Sequence, residues 1–132
     1  MKKVETIVRA NKDGLWAEIP ELPGCYSFGE TISELHEMLR EAVELHIEGM
    51  VEDGESVPNV FKNEFEFKLK INLQEFFDQY PVSIAGVAKK AGMNRSLLTQ
   101  YAKGIKLLSE KQALRITEAI NSIGRDLAAI SF

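Results

Sequence analysis

The stretch from Ser83 to Lys106, SIAGVAKKAGMNRSLLTQYAKGIK, constrains the fold of this chain more than any other. It contains two short segments with helical apolar spacing on either side of Gly92, a residue type that adopts a positive φ without steric cost. Asn94 is a favourable N-cap, because its side-chain oxygen can accept a free amide of the first helical turn. Ala88 allows a close helix crossing, and Leu98 falls on the side that faces the first segment. The stretch therefore predicts two short helices joined by a tight turn.

The outer face of the second predicted helix carries polar and basic side chains and no acid. Such side chains offer the donors that reach base edges and phosphates, and the pattern is typical of a helix-turn-helix whose second helix enters the major groove of DNA. A helical hairpin with a solvated polar face is the alternative. The residues predicted to contact DNA are Ser83, Asn94, Arg95, Ser96, Thr99, Gln100, Lys103 and Lys106.

The net charge of −4 argues against binding of nucleic acid, but the distribution of charge along the chain argues for such binding. Residues 1–71 hold 8 Lys/Arg and 15 Asp/Glu, a net charge of −7, whereas residues 72–132 hold 8 Lys/Arg and 5 Asp/Glu, a net charge of +3. The asymmetry predicts two domains with these boundaries and with different partners. The acidic domain suits a basic protein, and the basic domain suits phosphate.

Residues 1–71 have the pattern of a small sheet with one helix. Alternating and β-branched segments predict strands at 4–10, 15–19, 25–28 and 64–71, with Trp16 in the sheet core. Thr31 and Glu34 form a capping box that opens a helix ending near Gly49. The predicted fold class is α+β: a β-β-β-α-β domain followed by an all-α domain.

Glutamates recur at helical spacing along this predicted helix, and Arg40 alone offsets them there. A solvated face is the simpler interpretation. The alternative is a docking face for a basic protein partner, and its candidate residues are Glu34, Glu37, Glu41 and Glu44.

The second domain is predicted to open with a short helix from residue 72 to 79 and to contain a last helix from Ser109 to about Ser122. The apolar segment Leu127–Phe132 is predicted to pair as a strand with the same segment of a second chain. An unpaired edge there would be a liability, so a homodimer or a higher homo-oligomer is expected.

The sequence assigns no catalytic residue, metal ligand or cofactor site. Cys25 is interpreted as a packed thiol. His36 and His46 would point about 80° apart on one helix, which makes them poor co-ligands. The chain contains no apolar run of the roughly twenty residues that span a bilayer, and its N-terminus lacks a signal peptide's apolar segment. A cytoplasmic location is the default expectation.

Residues 14–50 resemble the N-terminal domain of HicB antitoxins. The resemblance rests on Pro20, the segment Leu22–Cys25, Gly29, Thr31 and the Glu41-Ala42 step. The C-terminal part resembles the phage-repressor type of helix-turn-helix that many HicB proteins carry. One departure is Ile84, where such motifs often have glutamine; its absence leaves DNA contacts to Ser83 and the second helix.

The resemblance implies a partial ribonuclease-H-like N-terminal fold and a HicA toxin partner, a small basic ribonuclease that acts on messenger RNA. It also implies an antitoxin that blocks this toxin and represses its own operon. An active nuclease would need about four carboxylates around two metal ions. The first strand offers only Glu5, so a non-enzymatic role is predicted. The alternative function is a stand-alone transcription regulator with a ligand-sensing N-terminal domain.

Overall fold

The first half of the chain forms a mixed four-stranded sheet, in which three strands pair antiparallel and the fourth pairs parallel to the first. The computed structural model describes residues Met1–Phe132. The strands are β1 (Lys2–Asn11), β2 (Gly14–Glu18), β3 (Tyr26–Gly29) and β4 (Phe65–Ile71), in the spatial order β3-β2-β1-β4. β4 lies parallel to β1, and this pairing needs a crossover, which helix α1 (Ile32–Glu52) provides. The predicted order of three strands, a helix and a fourth strand is present.

The core of this sheet lies on the face that α1 covers. Alternate residues of β1, from Val4 to Ala10, are buried, while the residues between them are exposed. Leu35, Leu39 and Val43 of α1 pack into the same cluster. Buried residues recur every second position along β1 and at helical spacing along α1, so each element buries only the side that faces the other.

The opposite face of the sheet is open, and the prediction that Trp16 is a core residue is wrong. Trp16 is 40% exposed and lies against Phe28, with 4.8 Å between the ring centroids. Its neighbours Leu15 and Ala17 are buried instead. Because all three consecutive residues are apolar, hydropathy could not determine which of them points inward, and a shift of one residue exchanges the faces.

Helix α1 does not end near Gly49 as predicted but continues to Glu52, with Asp53 as its C-cap. The positive φ that ends the turn belongs to Gly54, at 73°. At the other end the Glu34 amide donates to the Thr31 hydroxyl oxygen at 3.1 Å, which is one of the two bonds of the predicted capping box. A short 3₁₀ turn over Asn59–Lys62 then leads into β4.

Helix α2 (Leu73–Gln79), which the sequence places at the start of the second domain, makes its contacts with β1. The Glu75 carboxylate accepts hydrogen bonds from the Ala10 amide at 2.7 Å and from Arg9 Nε at 2.8 Å. Ala10 lies two residues beyond Val8, the last residue of β1 that pairs with β4, so Glu75 satisfies a backbone amide that β4 does not reach. The chain accordingly divides into two compact units, residues 1–79 and 80–132.

The second unit consists of three helices, α3 (Ile84–Ala91), α4 (Arg95–Ala102) and α5 (Glu110–Ala129). Ser109 caps α5 by accepting a hydrogen bond from the Gln112 amide at 3.2 Å. With the sheet and all five helices, the chain has the predicted mixed α+β class. None of the helices combines the length and the hydropathy that a membrane span requires. The buried side chains of this unit are Val87, Ala88, Leu98, Ala102, Ile116 and Ala119.

The prediction of a C-terminal strand is wrong, because α5 runs past Ser122 to Ala129. Leu127 is therefore helical and 63% exposed, and only Ile130–Phe132 lie outside the helix. The leucine and alanines of this segment are strong helix formers, and they continue the apolar spacing of Ile116 and Ile123.

Candidate functional site

The turn between α3 and α4 forms as the sequence predicts. Gly92 adopts φ 65° and ψ 35°, and the Met93 amide donates to the Ala88 carbonyl at 2.9 Å, which closes α3 with a left-handed glycine cap. Ser83 caps α3 by accepting from the Gly86 amide at 3.0 Å, and Asn94 caps α4 by accepting from the Ser96 amide at 2.7 Å. Both caps use an acceptor oxygen, so the serine hydroxyl and the asparagine amide each retain a donor.

Helix α4 presents five of the predicted DNA contacts on one side. Arg95, Ser96, Thr99, Gln100 and Lys103 fall within an arc of about 140° around the helix axis. The first two and Lys103 are exposed, whereas Thr99 and Gln100 are half-buried. The Thr99 hydroxyl donates to the Arg95 carbonyl at 3.0 Å, so this hydroxyl is engaged within the helix.

Lys106, one of the predicted DNA contacts, lies beyond the C-terminal end of α4. Lys103 is the C-cap of α4, and Lys106 lies three residues later in the turn that follows. Its amide donates to the Gln100 carbonyl at 3.3 Å, so the turn folds back onto the end of α4. The exposed Lys106 side chain therefore starts from this turn.

Arg115 of α5 holds the turn between α3 and α4, a contact that the sequence analysis missed. Its Nη2 donates to the carbonyls of Ala91 and Gly92 at 2.9 and 3.1 Å, and its Nη1 donates to Oε1 of Gln112 at 3.0 Å. Carbonyls in the last turn of a helix lack partners within that helix, and a cation there is favourable. Arginine spacing along α5 gives no signal for such a contact, because it depends on how two helices cross.

The positive charge of the second unit is concentrated on and around α3 and α4. Residues 80–132 contain 8 Lys/Arg and 3 Asp/Glu, a net charge of +5. The three acids, Glu110, Glu118 and Asp126, all lie on α5. Lys89 and Lys90, in the last turn of α3, are exposed and add to the basic side, although the sequence analysis did not include them.

Helix α1 presents an acidic stripe, defined as Glu34, Glu37, Glu41 and Glu44, on the side opposite its buried residues. All four carboxylates are exposed, and none of them takes part in a salt bridge. Arg40, the one basic residue of the helix, instead lies 5.8 Å from the centroid of the Phe67 ring. The stripe is thus an uncompensated negative surface.

Two exposed apolar side chains accompany the acidic stripe and were not singled out by the sequence analysis. Met38 is 41% exposed and Leu45 is 69% exposed. They lie seven residues apart, within about 60° of Glu41 around the helix axis. Their signal in the sequence was weak, because single apolar residues on a helix surface are common.

Cys25 and His36 of the first unit pack against the protein and are not arranged as a reactive site. Cys25 is buried, as predicted, and burial raises the pKa of its thiol. The His36 ring lies 6.1 Å from the Phe67 ring, between centroids. No group of three or more His, Cys, Asp or Glu side chains is arranged to hold a metal ion.

Comparison with known proteins places the N-terminal half in a family. Residues 5–68 match the model of the HicB_like antitoxin of bacterial toxin-antitoxin system. A UPF0150 protein of Archaeoglobus fulgidus is 36% identical over 58 residues, which cover 42% of this chain and 84% of that protein. An uncharacterised 14.9 kDa protein from the rep-hol intergenic region of Haemophilus phage HP1 is 48% identical over 46 residues. A UPF0150 protein of Synechocystis sp. is 44% identical over 43 residues.

The coverage of these relatives differs. The matched segments span 35% of the phage protein and 62% of the Synechocystis protein. A solved HicA3 and HicB3 toxin-antitoxin complex aligns with 55% of this chain and 73% of the matched chain, at 21% identity and a TM-score of 0.36, a likeness too distant to bear on the fold. The archaeal relative is matched over most of its length, and the family model covers the chain from within β1 to within β4. Through this domain the chain belongs to the HicB-like antitoxin family.

Proposed function

We propose that this protein is an antitoxin that neutralises a HicA-like toxin by direct binding and represses its own operon through a helix-turn-helix formed by α3 and α4. The observation that carries the proposal is the separation of charge between the units. Residues 1–79 hold 8 Lys/Arg and 17 Asp/Glu, a net charge of −9, against +5 for residues 80–132. An acidic unit suits a small basic ribonuclease, and a basic unit suits DNA. Membership of the HicB-like family supports the antitoxin role.

The acidic stripe of α1 is the proposed toxin-binding surface. Its charges would steer a basic toxin during encounter, and this acts mainly on the association rate. The exposed side chains of Met38 and Leu45 would supply apolar contact within the same surface. Neutralisation then consists of covering the toxin's active site, so the antitoxin itself needs no catalytic residue and no cofactor. We extend the proposal to a partial ribonuclease-H-like fold for this unit, supported by its mixed sheet with the α1 crossover.

The proposed DNA-binding surface divides by chemistry into two kinds of contact. Gln100 and Arg95 are the proposed base readers, because glutamine can bond adenine and arginine guanine in bidentate fashion. The Thr99 methyl can contact thymine, while its hydroxyl stays bonded to the Arg95 carbonyl. Phosphate contacts come from the donors at the two ends of α4 and from the start of α3. These residues are Ser83, Asn94, Ser96, Lys103 and Lys106.

Two copies of the chain would bind one operator in the cytoplasm. The exposed side chains of Leu127, Ile130 and Phe132 at the end of α5 are the proposed contact between the two C-terminal units. A two-fold pair of α4 helices then meets an inverted repeat whose half-site centres lie about 34 Å, or a multiple of it, apart.

Co-purification with a HicA-like toxin tests the proposal. Residues 1–79 should capture the toxin without the second unit. Reversing the acidic stripe (E34K, E37K, E41K and E44K together) should slow association, most of all at low salt. The matched control reverses four exposed acids outside the stripe, Asp13, Glu21, Glu30 and Glu55, with the same change in net charge.

Equal slowing by both sets would assign the effect to net charge and remove the stripe as the binding surface. Capture of toxin by the full chain alone would contradict the division of roles between the units. Capture by neither would favour the stand-alone transcription regulator.

A further inference from the structure

Strand β4 forms an open edge of the sheet. It pairs with β1 without a bulge from Lys2–Phe65 to Val8–Ile71, and no strand lies on its other side. A long, regular edge is a template for another strand, and proteins usually protect such an edge with proline, bulges, very short length or charged side chains, lysine above all. The seven residues of β4, FEFKLKI, contain no proline and no bulge, and their charged residues, Glu66, Lys68 and Lys70, repel a second strand only where like charges meet.

The order of charges along β4 is complementary to the order of charges along a second, antiparallel copy of β4. On the face of the sheet turned away from α1, the residue before β4 and the strand itself carry Glu64, Glu66, Lys68 and Lys70 in turn. If two copies pair antiparallel about Phe67, each Glu66 lies directly opposite Lys68 of the second copy, and each Glu64 opposite Lys70. Cross-strand pairs of opposite charge stabilise a sheet, and like charges directly opposite destabilise it.

The other face of the same strand agrees with this register. Pairing about Phe67 sets Phe67 opposite itself and Phe65 opposite Leu69, so that apolar residues meet apolar residues on the α1 side. A parallel in-register pair would instead set Glu66 against Glu66 and Lys68 against Lys68. A shift that centres the pairing on Lys68 would also oppose two lysines. The charge order therefore favours one orientation and one register.

We propose that β4 pairs antiparallel with β4 of a second copy of this chain, across a two-fold axis at Phe67. The pairing joins two four-stranded sheets into one continuous sheet and removes both open edges. The surface includes no residue of the acidic stripe of α1 or of the end of α5, and the inference does not depend on toxin or DNA binding. Lys70 also bonds Glu5 of its own chain at 2.6 Å, so Glu66 and Lys68 are the residues on which to test it.

Sedimentation equilibrium of the full chain provides the test. E66K and K68E each place like charges opposite one another twice, so each variant should have a lower mass than the wild-type assembly. An equimolar mixture of the two variants should recover the wild-type mass, because every reversed edge then faces its complement. The double variant E66K/K68E should recover it as well.

The matched control is K12E, a charge reversal in the exposed turn between β1 and β2, which should leave the mass unchanged. Unchanged mass for both E66K and K68E would overturn the proposal, as would a mixture that fails to reassemble. If the two variants keep the wild-type mass but lose capture of a HicA-like toxin, the edge binds toxin and not a second copy.

Discussion

At the scale of single residues, Arg115 is expected to support the turn that positions α4. R115M removes the guanidinium bonds to the Ala91 and Gly92 carbonyls, and hydrogen bonds to a charged group contribute about 1.5–3 kcal/mol. Hydrogen exchange of the α3 and α4 amides should accelerate accordingly, because the last carbonyls of α3 lose their partner. R125M, on the same helix but without such bonds, is the matched control. Equal acceleration in both variants would contradict the assignment.

Gln100 and Lys103 are expected to give different defects in DNA binding. Q100A should cost about 1–3 kcal/mol per half-site on the operator and relax sequence preference at the contacted base. K103A should weaken binding to operator and scrambled duplexes alike and lower the salt slope by about one. Gel-shift titrations at several salt concentrations separate the two outcomes once an operator has been selected from random duplexes.

K12A, in the other unit, controls for the loss of one positive charge far from α4 in sequence. An equal loss of affinity on both duplexes for Q100A would show that Gln100 does not read a base. Unaltered affinity after joint replacement of Arg95, Gln100 and Lys103 would remove DNA binding from this face.

At the scale of elements, two glycines test where α1 ends and how closely it packs. A Cβ at Gly49 would meet nothing within 4 Å, so G49A should stabilise α1 by about 0.5–1 kcal/mol. At Gly29 a Cβ would lie 2.5 Å from the Leu35 backbone nitrogen, so G29A should destabilise the unit by about 1–3 kcal/mol. Urea titration followed by the fluorescence of Trp16, the one tryptophan, reports on this unit.

The sign of the G49A effect distinguishes two positions for the helix end. If α1 ended at Gly49 with a left-handed glycine, as the sequence predicted, alanine there would be destabilising. A stabilised protein therefore supports the continuation of the helix to Glu52.

At the scale of the whole molecule, the acidic unit is expected to oppose non-specific DNA binding by the basic one. Residues 1–79 carry a net charge of −9, so their removal should tighten binding of residues 80–132 to a scrambled duplex at low salt. The difference should shrink as salt rises, because the Debye length falls from about 30 Å at 0.01 M to about 10 Å at 0.1 M. Equal affinities at the lowest salt would contradict this role for the charge separation.

The sequence by itself determined those features that depend on neighbouring residues and on composition. The caps at Thr31, Asn94 and Ser109 and the left-handed turn at Gly92 formed as predicted, because each needs only the residues within one helical turn. The α+β class and the order of strands followed from periodicity. The HicB-like domain could be identified from its short segments, and the residues that carry this resemblance, from Pro20 to Ala42, lie within residues 5–68, which the family model matches.

Tertiary structure decided which side chains of an apolar segment point inward and which distant residues contact each other. Trp16 faces outward because Leu15 and Ala17 fit beneath α1, although all three residues are apolar. Helix α2 belongs with the sheet because Glu75 satisfies the Ala10 amide, and Arg115 reaches the turn because α5 crosses α3. These hydrogen bonds, of Glu75 with the Ala10 amide and of Arg115 with the turn, join residues 23 to 65 positions apart. Local propensity contains no information about such contacts, because they arise only when separate elements compete to bury the same surface and to satisfy the same backbone groups.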